Sequence, residues 1–273
     1  MSSYRLIALD IDGTLLNSRK EVTDVCALAI RDAAKAGKTI VFNTGRAVSE
    51  LTEFFAPFPE IRWAVYASGA GLFDIQEQKA FSLIGIPRMD ADKILSLART
   101  KDIMPQLVIG DRDVIQSSHM EHLERYHMGI YRPLYERAMT LVPDIYAFAE
   151  ACREDFLKIN LYHADPAERV RTREQLSQVA VEKAYSEISS VECSALGVNK
   201  GLGLLRLCES LGIPPAECVA VGDAENDIPM LCAAGLGIAM GNAAKHVQQA
   251  ADRVVADADH DGCAEAVRLA LRG

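Results

Sequence analysis

The fold is decided by a stretch near the N-terminus, Arg5–Leu16, which reads RLIALDIDGTLL. Its apolar run Leu6–Leu9 is typical of a central parallel strand that is covered on both faces. Side chains alternate along a strand, so Asp10 and Asp12 should project to the same side, and Gly13 allows the backbone to turn away. The sequence therefore predicts two carboxylates at the carboxyl end of a strand, the edge where open α/β sheets bind ligands.

Two like charges at this spacing repel each other, so the pair Asp10 and Asp12 implies either a cation between them or a proton on one of them. A short Asp-x-Asp-Gly motif is also compatible with a solvated turn after a buried strand. The motif alone leaves both interpretations open, and the rest of the chain has to decide between them.

Composition limits the classes of protein that need to be considered. The length of 273 residues suggests about two domains. The formal net charge of −9, without a long run of either sign, argues against binding to nucleic acid, which requires a basic surface. No apolar stretch reaches the ~18 residues of a membrane span, so we expect no membrane association and a cytoplasmic location. Seven cysteines without a Cys-x-x-Cys pair favour reduced thiols over disulfides or a zinc site.

Strands and helices alternate in residues 1–83 and again in 191–273, which is the pattern of a parallel sheet with helical crossovers. Predicted strands of these segments are 6–9, 39–43, 63–67, 218–221, 235–240 and 253–256, together with two short strands at 72–74 and 80–82. A helix should run from a Thr23 cap to Lys35, and another should begin at Asn199-Lys200. The predicted fold class is α/β, a doubly wound Rossmann-like parallel-sheet core.

Residues 84–190 do not follow this regular alternation of strands and helices. The helices are predicted at 91–101, 120–127 and 166–179, and the strands at 105–110, 156–162 and 181–186. The run 156–161 alternates too poorly for its facing to be assigned. We interpret the segment as an α+β domain inserted into the first one, which divides the chain into 1–83, 84–190 and 191–273.

Three predicted core strands end in polar clusters. These are Asp10 with Asp12, Thr44 with Gly45 and Arg46, and Asp223 with Asn226 and Asp227. If the strands are parallel neighbours, the clusters share one edge of the sheet, and Lys200 at a helix start can reach the same edge. Clustered carboxylates without nearby His or Cys suit Mg²⁺. A Thr hydroxyl, backbone amides and a Lys ammonium suit a phosphoryl group, and an Asp can act as its nucleophile.

With these motifs in place, the sequence resembles the haloacid dehalogenase-like phosphohydrolases. The residues that carry the resemblance, in the order of the family's four motifs, are Asp10–Leu15 (DIDGTL), Thr44-Gly45-Arg46, Lys200, and Gly222–Asp227 (GDAEND). The insert resembles the larger cap domain of the Cof-like subfamily. Many relatives have Asn where this chain has Ser68.

The resemblance implies a role for each matching residue. Asp10 would be the nucleophile and Asp12 the general acid/base. The phosphate-binding residues would be Thr44, Gly45, Lys200 and Asn226, and the Mg²⁺ site would comprise Asp10, Asp12 through its carbonyl, Asp223 and, in support, Asp227. Candidates for substrate contact are Arg46, Ser68 and the cap residue Lys158.

The expected function is that of a Mg²⁺-dependent phosphatase, which hydrolyses a small phosphorylated metabolite such as a sugar phosphate through an aspartyl-phosphate. The expected protein is a monomer or a small homo-oligomer. A phosphomutase that passes the phosphoryl group to another hydroxyl, and a binding regulator without turnover, are the alternatives. Taken singly, Lys200 could be an exposed helix residue, and Thr44-Gly45 or Asn226-Asp227 could merely cap helices.

Overall fold

The structure of the protein, a computed structural model, describes residues 4–272. The strands in that range are β1 (Leu6–Leu9), β2 (Thr39–Asn43), β3 (Trp63–Tyr66), β4 (Gly71–Asp74), β5 (Lys79–Phe81), β6 (Ile103–Ile109), β7 (Arg112–Gln116), β8 (Met139–Val142), β9 (Phe156–His163), β10 (Val181–Ala184), β11 (Ser190–Ala195), β12 (Cys218–Gly222), β13 (Leu236–Ala239) and β14 (Arg253–Val254). The α-helices are α1 (Asp24–Lys35), α2 (Val48–Phe55), α3 (Arg88–Ala98), α4 (Ser117–Glu121), α5 (Arg132–Ala138), α6 (Ile145–Ala151), α7 (Glu168–Gln175), α8 (Lys200–Leu211), α9 (Ile228–Ala233), α10 (Lys245–Ala250) and α11 (Gly262–Arg272).

The chain forms two compact units. The core unit contains the residues through Gly45, Glu53–Phe81 and the residues from Asn199 onward, and the insert unit contains Arg46–Thr52 and Ser82–Val198. The expected boundary at 190/191 falls at the start of β11, which pairs antiparallel with β9 of the insert. Because β11 is hydrogen-bonded into that sheet, the insert unit continues to Val198 rather than ending at 190.

The core unit contains an eight-stranded sheet in the order β14-β13-β12-β1-β2-β3-β4-β5. The strands from β14 to β3 are parallel, while β4 and β5 pair antiparallel at one end. Strand β1 is central, and Leu6 lies opposite both Cys218 of β12 and Thr39 of β2. The predicted parallel core is confirmed, and the strands that precede the polar clusters are direct neighbours.

Local sequence signals fix the ends of two helices in this unit. The Thr23 hydroxyl caps α1 by accepting a hydrogen bond from the Cys26 backbone N–H, as predicted. The Asn199 side chain caps α8 in the same way by accepting from the Leu202 N–H. Helix α8 ends at Gly212, which adopts the left-handed conformation that glycine tolerates at a C-terminus. Lys200 is thereby placed as the first residue of α8.

The insert unit contains a six-stranded sheet in the order β10-β11-β9-β6-β7-β8. Its pairs are antiparallel except for β7 with β8. Every residue of β9 is buried, because Ile159 and Leu161 join an apolar cluster on one face while Lys158 and Asn160 lie on the other. Phe156 joins the same apolar cluster as Ile159 and Leu161, and the pairing of β9 with β6 shifts register between Val108 and Ile109. This irregularity interrupts the alternation at the start of the strand, which explains why its facing could not be assigned from the sequence.

The polar face of this sheet contains Asp113, which is completely buried. Its carboxylate accepts hydrogen bonds from Gln106 Nε2 at 2.6 Å and Ser49 Oγ at 3.1 Å. Burial raises the pKa of Asp113 to about 6, although hydrogen bonds from Gln106, Ser49 and Glu50 and the charge of Lys158 oppose the rise. The folded state therefore holds the Asp113 proton more tightly than an unfolded chain does.

We expect the stability difference between the wild-type protein and Asp113→Asn to depend on pH. Between the ordinary pKa near 3.8 and the folded value of about 6, the native state binds more protons, so wild-type unfolding free energy falls as pH rises. Asn does not titrate, so wild type should lose on the order of 3 kcal/mol relative to the variant across this window. Urea unfolding of both proteins at several pH values measures this. The exposed Glu136→Gln serves as the control, and a pH-independent difference for Asp113→Asn would contradict the prediction.

In the part of the chain described, 4–272, no helix combines the length and the apolar character needed to cross a membrane.

Candidate active site

Three side chains follow adjacent strands at the same edge of the core sheet. Asp10 follows β1, Thr44 follows β2 and Asp223 follows β12. Since β12, β1 and β2 are parallel neighbours, the ends of these strands lie side by side. The sheet thus brings together residues more than two hundred positions apart, as the sequence predicted.

Lys200 lies beside Asp10 of this group and also contacts Asp227. Its ammonium is 2.6 Å from Asp10 Oδ1 and 2.6 Å from Asp227 Oδ1, and the side chain is only 1% exposed. Burial alone would lower the pKa of Lys200, but the carboxylates of Asp10 and Asp227 outweigh it and raise that pKa above its ordinary value. The alternative that Lys200 is an exposed helix residue is therefore wrong.

Close packing of the α8 backbone fixes the position of Lys200. The Lys200 carbonyl accepts a hydrogen bond from Asn43 Nδ2 at 3.0 Å. A Cβ atom at Gly201 would lie 2.5 Å from the Pro229 carbonyl oxygen, and one at Gly203 would lie 2.4 Å from Val65 Cγ1. Only residues without a side chain allow this approach, so the first turn of α8 has little freedom to shift.

Asp227 connects Lys200 to the loop that follows β12. While its Oδ1 accepts from Lys200, its Oδ2 accepts from the backbone N–H groups of Asp223 and Ala224, both at 2.9 Å. Asp227 ends a short 3₁₀ turn, Glu225–Asp227, in which Asn226 is also buried. Asp227 therefore does more than cap the next helix, because it also forms an ion pair with Lys200.

Two residues that sequence reasoning missed hold the Asp223 carboxylate. Thr14 Oγ1 donates to Asp223 Oδ1 at 2.9 Å, and Asn242 Nδ2 donates to Asp223 Oδ2 at 3.2 Å. Asn242 Nδ2 also donates to the Gly13 carbonyl at 2.9 Å, which ties the first motif to the loop after β13. Thr14 stands next to the Asp-Gly turn, so its position carried a detectable signal, whereas no sequence pattern links Asn242 to Asp223.

The carboxylates of Asp10, Asp223 and Asp227 form a group suited to a divalent cation, because one oxygen from each lies within 4.8 Å of the others. Burial and the charges of Asp227 and Asp223 raise the pKa of Asp10 well above its usual range, against the opposing charge of Lys200. Burial, and then Asp227, raise the pKa of Asp223 to about 7. Lys200 supplies one positive charge against three carboxylates, so a bound Mg²⁺ would relieve the remaining repulsion.

Position 13, next to this group of three carboxylates, can be occupied only by glycine. Its φ is +83°, and a Cβ atom there would lie 2.4 Å from Asp223 Oδ2. Only glycine combines this conformation with this approach, so the turn after Asp12 leaves room for Asp223. The side chain of Asp12 is not part of the three-carboxylate group; its Oδ1 lies 3.1 Å from Lys20 Nζ.

Thr44 and Ser68 are held together by backbone hydrogen bonds. The Thr44 N–H donates to the Val65 carbonyl at 2.9 Å, and the Ser68 N–H donates to the Thr44 carbonyl at 3.0 Å. Helix α2 begins only at Val48, so Thr44 and Gly45 are not simply its cap. Ser68 has φ +55° and follows Ala67 at φ +49°, a strained pair of the kind that concentrates at functional sites.

The two remaining candidates for substrate contact, Arg46 and Lys158, belong to the insert unit. Arg46 is buried, and its guanidinium donates to the Glu50 carbonyl at 3.4 Å. Lys158 is also buried, and its ammonium lies 2.7 Å from Glu192 Oε1. Contact of either residue with a substrate stays a prediction.

The parallel core sheet and the carboxylate–ammonium group at its edge define a Rossmann-like α/β protein with a buried acidic site. The family model of haloacid dehalogenase-like hydrolases matches residues 7–267. The chain belongs to this family.

Similar proteins extend over the full length of the chain. Phosphatase YwpJ of Bacillus subtilis is 30% identical and aligns with 98% of this chain and 100% of its own length. A 5-amino-6-(5-phospho-D-ribitylamino)uracil phosphatase of the same species, YcsE, is 28% identical over 97% of this chain and 94% of its own. The solved structure of a haloacid dehalogenase-like hydrolase from B. subtilis superposes with a TM-score of 0.86 at 28% identity, covering 97% of this chain and 99% of that one.

Proposed function

We propose that this hydrolase is a Mg²⁺-dependent phosphatase that cleaves a small phosphorylated metabolite through an aspartyl-phosphate on Asp10. The observation that carries the proposal is the position of the Lys200 ammonium, 2.6 Å from Asp10 Oδ1, inside a buried group of acids. A buried cation beside an aspartate is the arrangement needed to bring a dianionic phosphoester to a negatively charged nucleophile.

Asp10 forms the new bond in the first step. One carboxylate oxygen attacks phosphorus, the bond from phosphorus to the ester oxygen breaks, and Asp12 donates its proton to that leaving oxygen. In the second step Asp12 takes a proton from a water molecule whose oxygen attacks the same phosphorus atom. The Asp10 carboxylate is released, phosphate departs, and Asp12 is again protonated.

The remaining residues of the site bind charge. The Lys200 ammonium would offset the negative charge of Asp10 and of the incoming phosphoryl group, and the Thr44 hydroxyl, Gly45 and Asn226 would bind phosphoryl oxygens. Asp10, the Asp12 carbonyl and Asp223 would hold Mg²⁺, with Asp227 holding the loop of Asp223. When bound, Mg²⁺ would neutralise part of the negative charge on the phosphoryl group.

The proposed substrate class rests on the chemistry of the site and on the activities for which similar proteins are named. YcsE is named for a phosphate ester on a ribityl chain, and a relative of 26% identity from Escherichia coli is named a pyridoxal phosphate phosphatase. Both names describe phosphomonoesters of small polar metabolites. We propose the same class here, with a sugar phosphate as the first candidate.

The test is phosphate release from a panel of sugar phosphates and pyridoxal 5′-phosphate, with and without Mg²⁺. We expect release of free phosphate with at least one ester, loss of that activity when EDTA removes the metal, and recovery when Mg²⁺ is added in excess. Since the acids are preformed in the fold, EDTA should abolish activity while far-UV circular dichroism stays unchanged.

The products separate the alternatives. A phosphomutase would convert one ester into its isomer with little free phosphate, and a binding regulator would bind an ester without changing it. Either result would overturn the phosphatase proposal, as would activity that EDTA does not reduce.

A further inference from the structure

The second acid of the first motif has a partner that the mechanism above does not use. Lys20 Nζ lies 3.1 Å from Asp12 Oδ1, and the side chains of Lys20 and Asp12 are 26% and 24% exposed. Both residues belong to the core unit. An ion pair of this exposure contributes little to stability, with a typical value of about 0–1 kcal/mol. Stability alone therefore does not explain why Lys20 forms an ion pair with Asp12.

The loop that presents Lys20 is closed by Asn17, whose side chain is buried. Asn17 Oδ1 accepts hydrogen bonds from the backbone N–H groups of Arg19 and Glu21, both at 3.0 Å. The Asn17 N–H donates to the Glu21 carbonyl, and the Lys20 N–H donates to the Asn17 carbonyl at 2.9 Å. Four hydrogen bonds thus fix the backbone on either side of Lys20.

The backbone of Lys20 is strained. Its φ is +61°, in the left-handed region that residues other than glycine and asparagine rarely adopt. Such a conformation costs about 1 kcal/mol or more and concentrates at functional sites. Glycine would remove the strain but also the ammonium, so lysine at this position carries a cost in stability that glycine would not.

We propose that Lys20 is a positioning residue for Asp12. Its ammonium binds Asp12 Oδ1 and so fixes the orientation of the carboxyl group that exchanges the proton with the leaving oxygen and then with water. Lys20 keeps its own protons throughout and touches neither phosphorus nor the leaving group. The inference rests on the proposed function, because it assumes that Asp12 is the general acid/base.

The experiment uses two phosphate esters that differ in their need for a proton donor. 4-Nitrophenol departs readily as an anion, whereas phenol is a poorer leaving group and depends more on general-acid catalysis. The quantity to compare is kcat/KM at saturating Mg²⁺, because it reports the steps up to departure of the leaving group. The variants are Lys20→Gly, which relieves the strain, Lys20→Met, which keeps the strain and the side-chain stem, and Lys20→Arg, which keeps the charge.

We expect Lys20→Gly and Lys20→Met to lose about tenfold or more in kcat/KM for phenyl phosphate and less than about threefold for 4-nitrophenyl phosphate. Lys20→Arg should recover most of the phenyl phosphate activity. The neighbouring Arg19, which pairs with Glu21 in the same loop, provides the control, and Arg19→Ala should match wild type on both esters. Thermal melts establish that each variant is folded.

The outcomes separate this inference from the proposed function. Equal losses on the two esters, or no loss, in an active enzyme would overturn the role of Lys20 and leave the phosphatase intact. Absence of phosphate release by the wild-type protein from either ester and from the metabolite panel would overturn the proposed function, and this inference with it.

Discussion

Asp10→Asn is expected to lower phosphate release by on the order of 10⁴-fold or more, because the amide cannot attack phosphorus as an anion. Asn has the same shape as Asp, and its Oδ1 can still accept a hydrogen bond from Lys200. The fold should therefore persist while turnover is lost. The measurement is initial phosphate release with the best ester of the panel, together with mass spectrometry of acid-quenched protein.

The wild-type protein, quenched during turnover, should carry one phosphoryl group on the peptide that contains Asp10, and the Asp10→Asn protein should carry none. Asp32→Asn, the same exchange at a largely exposed position of α1, provides the matched control and should keep full activity. Substantial activity in Asp10→Asn, or a phosphoryl group on another peptide, would refute the assignment of the nucleophile.

Lys200→Met is expected to destabilise the protein by about 3–5 kcal/mol, the usual cost of leaving a buried carboxylate without its partner. Methionine fills similar volume but removes the charge that Asp10 and Asp227 share. The pKa of Asp10, already raised by burial and by Asp227, should then rise further, because Lys200 opposes that rise. Urea unfolding at neutral pH measures the loss, and phosphate release should disappear as well.

A second substitution tests whether charge is the cause. Adding Asp227→Asn to Lys200→Met removes one of the two unpaired acids, while the amide oxygen can still accept from the loop N–H groups, so part of the stability should return. Lys245→Met provides the control, since Lys245 is also the first residue of a helix but is exposed. If both lysine variants lost equal stability, the ion pairs of Lys200 would not be the reason.

The sequence was sufficient for the parts of the site that lie at strand ends. Asp10 and Asp223 each follow an apolar run that reads as a buried strand, and parallel neighbours place such ends together. Lys200 follows Asn199, a recognisable helix cap. These residues were predicted from local patterns alone, and the structure brings them into one group.

Contacts of residues distant in sequence were not predictable in this way. Asn242 reaches Gly13 and Asp223 from the loop after β13, and no spacing rule links these positions. The contact of Lys20 with Asp12 depends on a left-handed backbone conformation at Lys20, which the residue type does not predict. Such features follow from tertiary packing.

The insert was the less well predicted unit. The β6–β7 hairpin turns through Gly110 and Asp111, with Ile109 opposite Arg112, and Gly-Asp between two apolar runs is a hairpin signal that was overlooked. No strand was predicted at Ser190–Ala195, and the boundary placed at 190 assigned most of β11 to the core. Pairing partners, which decide the sheet to which a strand belongs, are not encoded locally.

The two glycines near the start of α8 limit how this enzyme can be engineered. Exchange of helical glycine for alanine commonly raises thermal stability by roughly 0.5–1 kcal/mol. At Gly201 and Gly203 an added methyl group would clash with Pro229 and Val65. Substitution of these glycines by alanine is therefore not expected to raise the stability of the protein. Thermostabilising substitutions on α8 belong instead in its later turns, away from the residue that carries the ammonium.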